Sequence, residues 1–274
     1  MKTYQVGGSV RDELLGVEPN DKDWVVVGSS PEEMIEAGFK PIGKDFPVFL
    51  HPDTKEEYAL ARTERKSGKG YHGFKFYYDP SVTLEDDLLR RDLTINAIAK
   101  DSQGKLIDPF NGQDDLFNKK LRNVSDAFCE DPLRAIRLGR FLSYKHISDF
   151  SITPQLKAIV KKILDSGELN YLSGDRVFAE IDKAMQNHFP EKFFNFVVEN
   201  KLDKPWLKDI NSLDSFSATS SDLRWVELSC LNHFTDFDQI PLPSKIKKLI
   251  SLARQLANIA VSYTHLTLPT KCGG

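Results

Sequence analysis

The sequence predicts an α+β chain, a small mixed β-sheet backed by helices and then an all-helical region. Three observations predict it. Short β-like runs alternate with helical ones as far as residue 122. From about Asp126 the apolar residues recur at helical spacing, as at Leu133 and Ile136. Hydrophobic content of 40% and charged content of 28% over 274 residues match a soluble globular chain with room for two or three small domains. The expected boundaries are 1–122, 123–205, 206–260 and a final segment 261–274.

The elements follow in order. Tyr4–Val6 reads as a short strand, Gly7-Gly8 as a turn and Val10–Leu15 as a helix. Asp23–Val27 is a strand rich in β-branched residues. Pro31–Ala37 is a helix, since Ser30 and Glu33 form a capping box and Pro31 takes the first position. Val48–His51 and Glu56–Arg62 are further strands. The segment from Thr63 to Gly73 has three glycines, many charges and no apolar period, and reads as a mobile loop. A helix is expected over Leu88–Ala97, a strand over Lys105–Ile107, and a turn at Asp108-Pro-Phe-Asn-Gly112. Glu130-Asp131 opens the first helix of the second region. Helices over Leu156–Leu164, Arg176–Met185, 191–202, Leu223–Leu231 and Ile246–Ile259 follow. The Thr-rich end, 261–274, lacks a helical period and reads as a non-native or disordered tail.

Chemistry concentrates near the N-terminus. Asp21 and Asp23 are one residue apart, so an extended backbone would aim both carboxylates at one spot. Adjacent carboxylates repel unless a cation lies between them, and Mg²⁺ suits that need. The Gly7-Gly8 turn ahead of a helix would let backbone N–H groups approach an anion. A phosphate cradle beside a metal clamp points to chemistry on a nucleoside triphosphate. Each half alone is commonplace, as a simple turn or a solvated acidic pair. Their pairing on adjacent elements carries the argument.

Other features mainly exclude. No apolar run is long enough to span a bilayer, and the N-terminal residues lack a signal-peptide core. Cys129, Cys230 and Cys272 have no paired spacing, and the six histidines show no ligand pattern. A cytoplasmic location with reduced thiols is expected, with no protein partner indicated. The net charge of −3 argues against a DNA-coating protein but leaves RNA binding open, because the local field decides.

Three further motifs stand in order. They are Arg90-Arg91-Asp92-Leu-Thr-Ile-Asn96-Ala97, Asp108-Pro-Phe-Asn-Gly112, and Glu130-Asp131-Pro-Leu-Arg134-Ala-Ile-Arg137-Leu-Gly-Arg140. With Val6-Gly-Gly-Ser-Val-Arg-Asp12 and Asp21-Lys-Asp23, they make the chain resemble bacterial-type class II tRNA nucleotidyltransferases, the CCA-adding enzymes, over residues 1–205. The resemblance implies a polymerase-β-like nucleotidyltransferase head (1–122), a base-recognising helical neck (123–205) and a shortened helical body (206–260). It implies template-independent addition of CCA to the tRNA 3′ end from CTP and ATP, with pyrophosphate released by a two-metal mechanism. Same-fold rivals are CC-adding, A-adding and poly(A) polymerases. An inactive RNA-binding remnant is the rival from another class. The Arg62–Gly73 loop favours full CCA addition, since CC-adding relatives shorten it. The region after 205 lacks the His-Asp motifs of the phosphohydrolase domain found in many relatives, so no second hydrolase activity is expected.

Asp21 and Asp23 are the expected catalytic metal ligands, with Glu57 either a third or a surface glutamate. Gly8 and Arg11 would hold the triphosphate, the rival for Arg11 being a surface pair with Asp12. Arg91 is expected at the nucleotide. Asp92 would face the ribose or cap its helix. Asp131 and Arg134, at i and i+3, would read the base edge, with Arg137 and Arg140 continuing the stripe toward phosphate or base. An ionised Asp only accepts and an Arg only donates. Cytosine and adenine match that order of acceptor and donor, while uracil and guanine reverse it.

Overall fold

The computed structural model describes residues 1–42, 48–66, 74–207, 210–211, 213–232 and 237–264. The chain forms two compact units. The first comprises Met1–Leu138 with His146–Leu172, and the second Gly139–Lys145 with the chain from Ser173 onward.

The first unit opens with β1 (Lys2–Val6), α1 (Gly8–Leu14), β2 (Asp23–Val27) and α2 (Pro31–Glu36). It continues with β3 (Lys40–Pro41), β4 (Val48–Leu50), β5 (Glu57–Leu60), β6 (Thr63–Lys66), β7 (Phe74–Tyr77) and α3 (Leu84–Leu89). A 3₁₀ turn at Thr94–Asn96 precedes β8 (Ala99–Lys100), β9 (Leu106–Ile107), α4 (Gly112–Phe117) and β10 (Lys120–Leu121). Helix α5 (Leu133–Ser143) follows, then β11 (Ser151–Ile152) and α6 (Pro154–Ser166).

Seven strands form the main sheet in the order β3-β4-β5-β2-β1-β8-β9. Only β2 and β5 pair in parallel within it; β1 is antiparallel to β2. Both faces are covered, so adjacent Val25 and Val26 are both buried. Val25 packs with Val6, Ala61, Val82 and Leu88 on one face. Val26 packs with Met34, Phe49, Tyr58 and Leu60 on the other. Asp23 begins β2 and has the parity of Val25.

The capping box of Ser30 and Glu33 starts α2 as expected. The helix expected over Leu88–Ala97 is different. A second capping box, Thr83 with Asp86, starts α3 four residues earlier, and α3 stops at Leu89. Asp92 then accepts from the Leu93 N–H (2.7 Å) and from Asn96 Nδ2 (3.0 Å). Those bonds replace helical backbone pairing, and only the short 3₁₀ turn remains. Asp92 thus does not cap an α-helix. The segment expected as one loop from Thr63 to Gly73 begins in β6, which pairs antiparallel with β7 from Thr63↔Tyr77 to Lys66↔Phe74. Its residues 67–73 lie outside the described residues.

The second unit contains the end of α5 together with α7 (Gly174–Gln186), α8 (Pro190–Glu199), α9 (Ser221–Leu231) and α10 (Ser244–Thr264). Helix α10 includes residues 261–264, which the sequence had placed in a tail without helical period; 265–274 lie outside the described residues. No described helix is long and apolar enough to cross a membrane.

The turn at Asp108–Gly112 forms as expected. Asp108 accepts from the N–H groups of Gly112 (2.7 Å) and Gln113 (2.9 Å), and Asn111 takes a left-handed φ of 58°. Gly112 is there because a Cβ would lie 2.2 Å from the Thr94 carbonyl oxygen and 2.9 Å from Ile98 Cγ1. Backbone cannot yield that far. Gly112→Ala should therefore destabilise the first unit by about 3 kcal/mol or more, while Gly104→Ala, with nothing within 4 Å but φ of +82°, should cost only about 1 kcal/mol. Urea unfolding of both variants measures the difference; equal midpoints would contradict the close packing at Gly112.

Candidate active site

The site grows from the β1–α1 turn. Gly7 has φ +76°, and a Cβ on it would stand 3.0 Å from Arg91 Nη1 and 3.9 Å from Asp23 Oδ2. Only a residue without a side chain leaves this space open beside a cation and a carboxylate. A Cβ on Gly8, the first residue of α1, would stand 3.4 Å from Arg11 Nη2.

Register brings a third group near. Val6 pairs with Asp23 across β1 and β2, and Asp23 pairs with Glu57 across the parallel β2 and β5. Partners in a sheet share a face, so Asp23 and Glu57 are neighbours at one strand edge. The next pair, Trp24 and Tyr58, stacks on the opposite face with ring centroids 5.4 Å apart. Asp21 lies two residues ahead of β2, outside the strand. Asp21, Asp23 and Glu57 are exposed, and no group of three metal-ligating side chains is closed among the described residues.

Behind the turn lies a buried polar chain. Arg11 is only 4% exposed, so it is not a surface charge, although its Nε does donate to Asp12 Oδ1 at 2.8 Å. Its Nη1 donates to Asn96 Oδ1 at 2.8 Å. Asn96 donates to Asp92, whose Oδ2 is 3.5 Å from Arg137 Nη1. His146 Nε2 lies 3.0 Å from Asp12 Oδ1, close enough for an ion pair when the ring is protonated. Burial raises the pKa of Asp12, yet His146 and Arg11 together bring it below the usual carboxylate range. Burial likewise raises that of Asp92, and Arg137, Asn96 and Arg134 outweigh it.

A second buried carboxylate, Asp87, holds Arg91. Its Oδ2 accepts from Arg91 Nη2 at 3.2 Å, and its Oδ1 from Arg90 Nη2 at 2.7 Å. Burial raises its pKa, and the two arginines bring it below the ordinary value.

Asp131 and Arg134 meet at the start of α5, but not on one helix face. Asp131 is extended (φ −110°, ψ 103°), because Pro132 disfavours helical backbone in the residue before it. Its carbonyl accepts from the Arg134 N–H at 3.0 Å and its Oδ1 from the Leu133 N–H at 3.2 Å. Arg134 is 8% exposed and donates to the carbonyls of Ala127 (3.1 Å) and Arg90 (2.6 Å). Arg140 belongs to the second unit. There its Nε donates to Glu180 and its Nη1 to the Tyr144 hydroxyl, each at 2.5 Å, with the guanidinium 4.8 Å from the Phe141 ring centre.

The structure thus brings Gly7, Gly8, Asp23, Glu57 and Arg91 together at one strand edge, and Arg11, Asp92 and Arg137 into one buried chain. Sequence reasoning missed Asp87, Asn96 and His146. The spacing of Asp87 to Arg90 and Arg91 was a readable helical signal. The contacts of Asn96 and His146 join distant parts of the sequence, and nothing local announces them.

The pKa of Asp92 is lower folded than unfolded, so its pairing stabilises the fold in full above the ordinary carboxylate range and is lost as pH falls through the folded value. Asp92→Asn should cost about 3 kcal/mol at pH 7 and flatten the acid limb of stability against pH. A variant whose stability falls between pH 5 and pH 3 as steeply as the parent would contradict this.

The poly(A) polymerase head domain family matches residues 3–122. Over 213 residues the chain is 51% identical to a multifunctional CCA protein of Teredinibacter turnerae, covering 78% of this chain and 52% of that one. Over 199 residues it is 57% identical to a CCA-adding enzyme of Marinobacter nauticus, covering 73% and 53%. The chain therefore spans about half the length of the curated relatives it matches. Its fold is similar to that of the Bacillus stearothermophilus CCA-adding enzyme in complex with CTP, with a TM-score of 0.77 at 24% identity over 94% of this chain and 66% of that one. It is also similar to a tRNA nucleotidyltransferase complexed with a primer tRNA and an incoming ATP analogue, with a TM-score of 0.73 at 23% identity over 97% and 84%. Residues 3–122 thus match the poly(A) polymerase head domain family, and with a Gly-Gly turn, a carboxylate strand edge and a buried-arginine second motif on an α+β head of this fold, the chain is similar in sequence and fold to CCA-adding enzymes.

Proposed function

We propose that this chain adds nucleotides to the 3′ end of tRNA without a template, building or repairing CCA from CTP and ATP in the cytoplasm. The observation that carries the reading is the close approach of Arg91 Nη1 and Asp23 Oδ2 to the Gly7 turn, which leaves no room for a side chain there. An anion entering there would meet a guanidinium and backbone N–H groups, and a cation bound by the anion would meet carboxylates. The head (1–122), neck (123–205) and body (206–260) are the working division of this reading.

The donor set fits Mg²⁺. That ion is commonly held by one or two carboxylates plus substrate phosphates rather than by a closed protein cage. Asp21, Asp23 and Glu57 are exposed oxygen donors at such an open edge. When bound, Mg²⁺ would neutralise charge on the attacking and leaving oxygens of the phosphoryl group. The chain's own residues do the rest. Gly7, Gly8 and Arg91 orient the triphosphate so that the α-phosphate faces the RNA 3′-hydroxyl. Arg11 lies behind the turn and supports it with positive charge, and Arg137 does the same from α5. Asp92, already fixed by Asn96 and Arg137, lines the ribose side.

Base choice falls to Asp131 and Arg134. Two Arg134 donors are committed to backbone carbonyls, which fixes the guanidinium plane. In this reading its remaining N–H groups would donate to a base acceptor, and the Asp131 carboxylate would accept from the base amino group. Cytosine and adenine satisfy both, while uracil and guanine present the reverse order to both. Each mismatch costs about 1–3 kcal/mol. Arg140, expected on the same stripe, lies in the second unit and is held there by Glu180 and the Tyr144 hydroxyl.

Incubation with tRNA lacking its 3′ end, labelled CTP, labelled ATP and Mg²⁺ tests the activity. Stepwise extension by two cytidines and one adenosine is the expected product; no extension with any triphosphate would contradict the reading. Asp23→Ala should reduce extension by about a hundredfold or more with an unchanged unfolding midpoint, and retention of a tenth of the parent rate would remove Asp23 from the clamp. Arg134→Ala should raise UTP and GTP use relative to CTP. An equal loss with all four triphosphates would reassign Arg134 to holding the Ala127 and Arg90 carbonyls.

A further inference from the structure

We propose that Asp87 is a positioning residue for nucleotide binding, which aims Arg91 at the Gly7 turn and ties it to the root of the β6–β7 hairpin. The proposal rests on the reading of Arg91 as a triphosphate contact.

Asp87 is fully buried at the end of α3. Its Oδ1 takes Arg90 Nε (3.0 Å), Arg90 Nη2 (2.7 Å) and the backbone N–H of Arg62 (3.3 Å). Its Oδ2 takes Arg91 Nη2 (3.2 Å). A buried ion cluster is a poor device for stability alone, since apolar replacements of similar volume are often neutral or better. What it supplies is direction.

Arg91 illustrates this. Its guanidinium is planar, and Nη1 and Nη2 are two prongs of one fork. Nη2 is fixed by Asp87, and Nη1 is the atom 3.0 Å from the Cβ position of Gly7. Nε is buried without a hydrogen-bond partner. The Asp87 contact therefore sets where the other prong points. Binding by a side chain already held in place avoids the entropy of ordering it.

The same carboxylate reaches two more elements. Arg62 immediately precedes β6, so its N–H anchors the strand that leads into the hairpin. Arg90 offers its carbonyl to Arg134, the donor of the base-reading pair. One buried side chain thus joins the phosphate side, the hairpin root and the base side of the proposed site within the first unit.

The test is calorimetric titration of the full chain with CTP and Mg²⁺, beside thermal unfolding of each variant. Arg91→Ala and Asp87→Asn should each weaken CTP binding about tenfold, and the double variant no more than Arg91→Ala alone. Asp87→Glu keeps the charge but moves it by one methylene. It should weaken binding severalfold with a near-parental unfolding midpoint, and it carries the test if Asp87→Asn does not fold. The proposal is overturned if Asp87→Glu binds CTP like the parent, or if the double variant loses the product of the two single effects. A parent chain that binds no CTP, or an Arg91→Ala variant that binds it fully, overturns the reading of the site and this proposal with it.

Discussion

The site depends on the cost of burying a carboxylate. Asp87 and Asp92 sit five residues apart, both out of water, and neither can remain ionised there without cations and N–H donors around it. Their partners are Arg90, Arg91 and Arg137 with Asn96 and two backbone N–H groups. Satisfying those two charges orients Arg91 and Arg137, two of the arginines that the site would use. Electrostatic preorganisation of this kind exerts its effect before substrate arrives, because the groups need no reordering at the moment of reaction.

The sheet supplies the other half. Strand β2 is central, antiparallel to β1 and parallel to β5, and both its faces are covered. The alternation of Asp23 with Trp24 and of Glu57 with Tyr58 then leaves no choice of face. The aromatic pair packs on the Val26 face, so the carboxylate pair takes the other face, at the strand ends by the Gly7 turn. A slip of one residue in β5 would put Glu57 on the aromatic face, away from Asp23. Register, set by ordinary apolar packing, is what brings two acids beside one turn.

Much of this was legible in the sequence, and the limits were physical. The strands β1, β2 and β5, the capping box at Ser30 and the Gly7-Gly8 turn rest on local chemistry, and the residues carry it openly. The helix over Leu88–Ala97 was misjudged because its apolar spacing is helical, while Asp92 draws the Leu93 N–H and the Asn96 amide into a local turn instead. Residues 261–264, which lack an apolar period of their own, continue α10, and 265–274 lie outside the described residues. Asp131 and Arg134 were expected on one helix face, but Pro132 keeps Asp131 extended. The chain from His146 through Asp12 and Arg11 to Asn96 was invisible, being assembled only when distant segments pack.

A crystal structure of the chain with Mg²⁺ and a non-hydrolysable CTP analogue is the most direct measurement. The account predicts the triphosphate against the Gly7-Gly8 turn, contacted by Arg91 Nη1 while Nη2 still rests on Asp87. An analogue bound elsewhere, or an Arg91 that reaches the phosphate only by leaving Asp87, would contradict it.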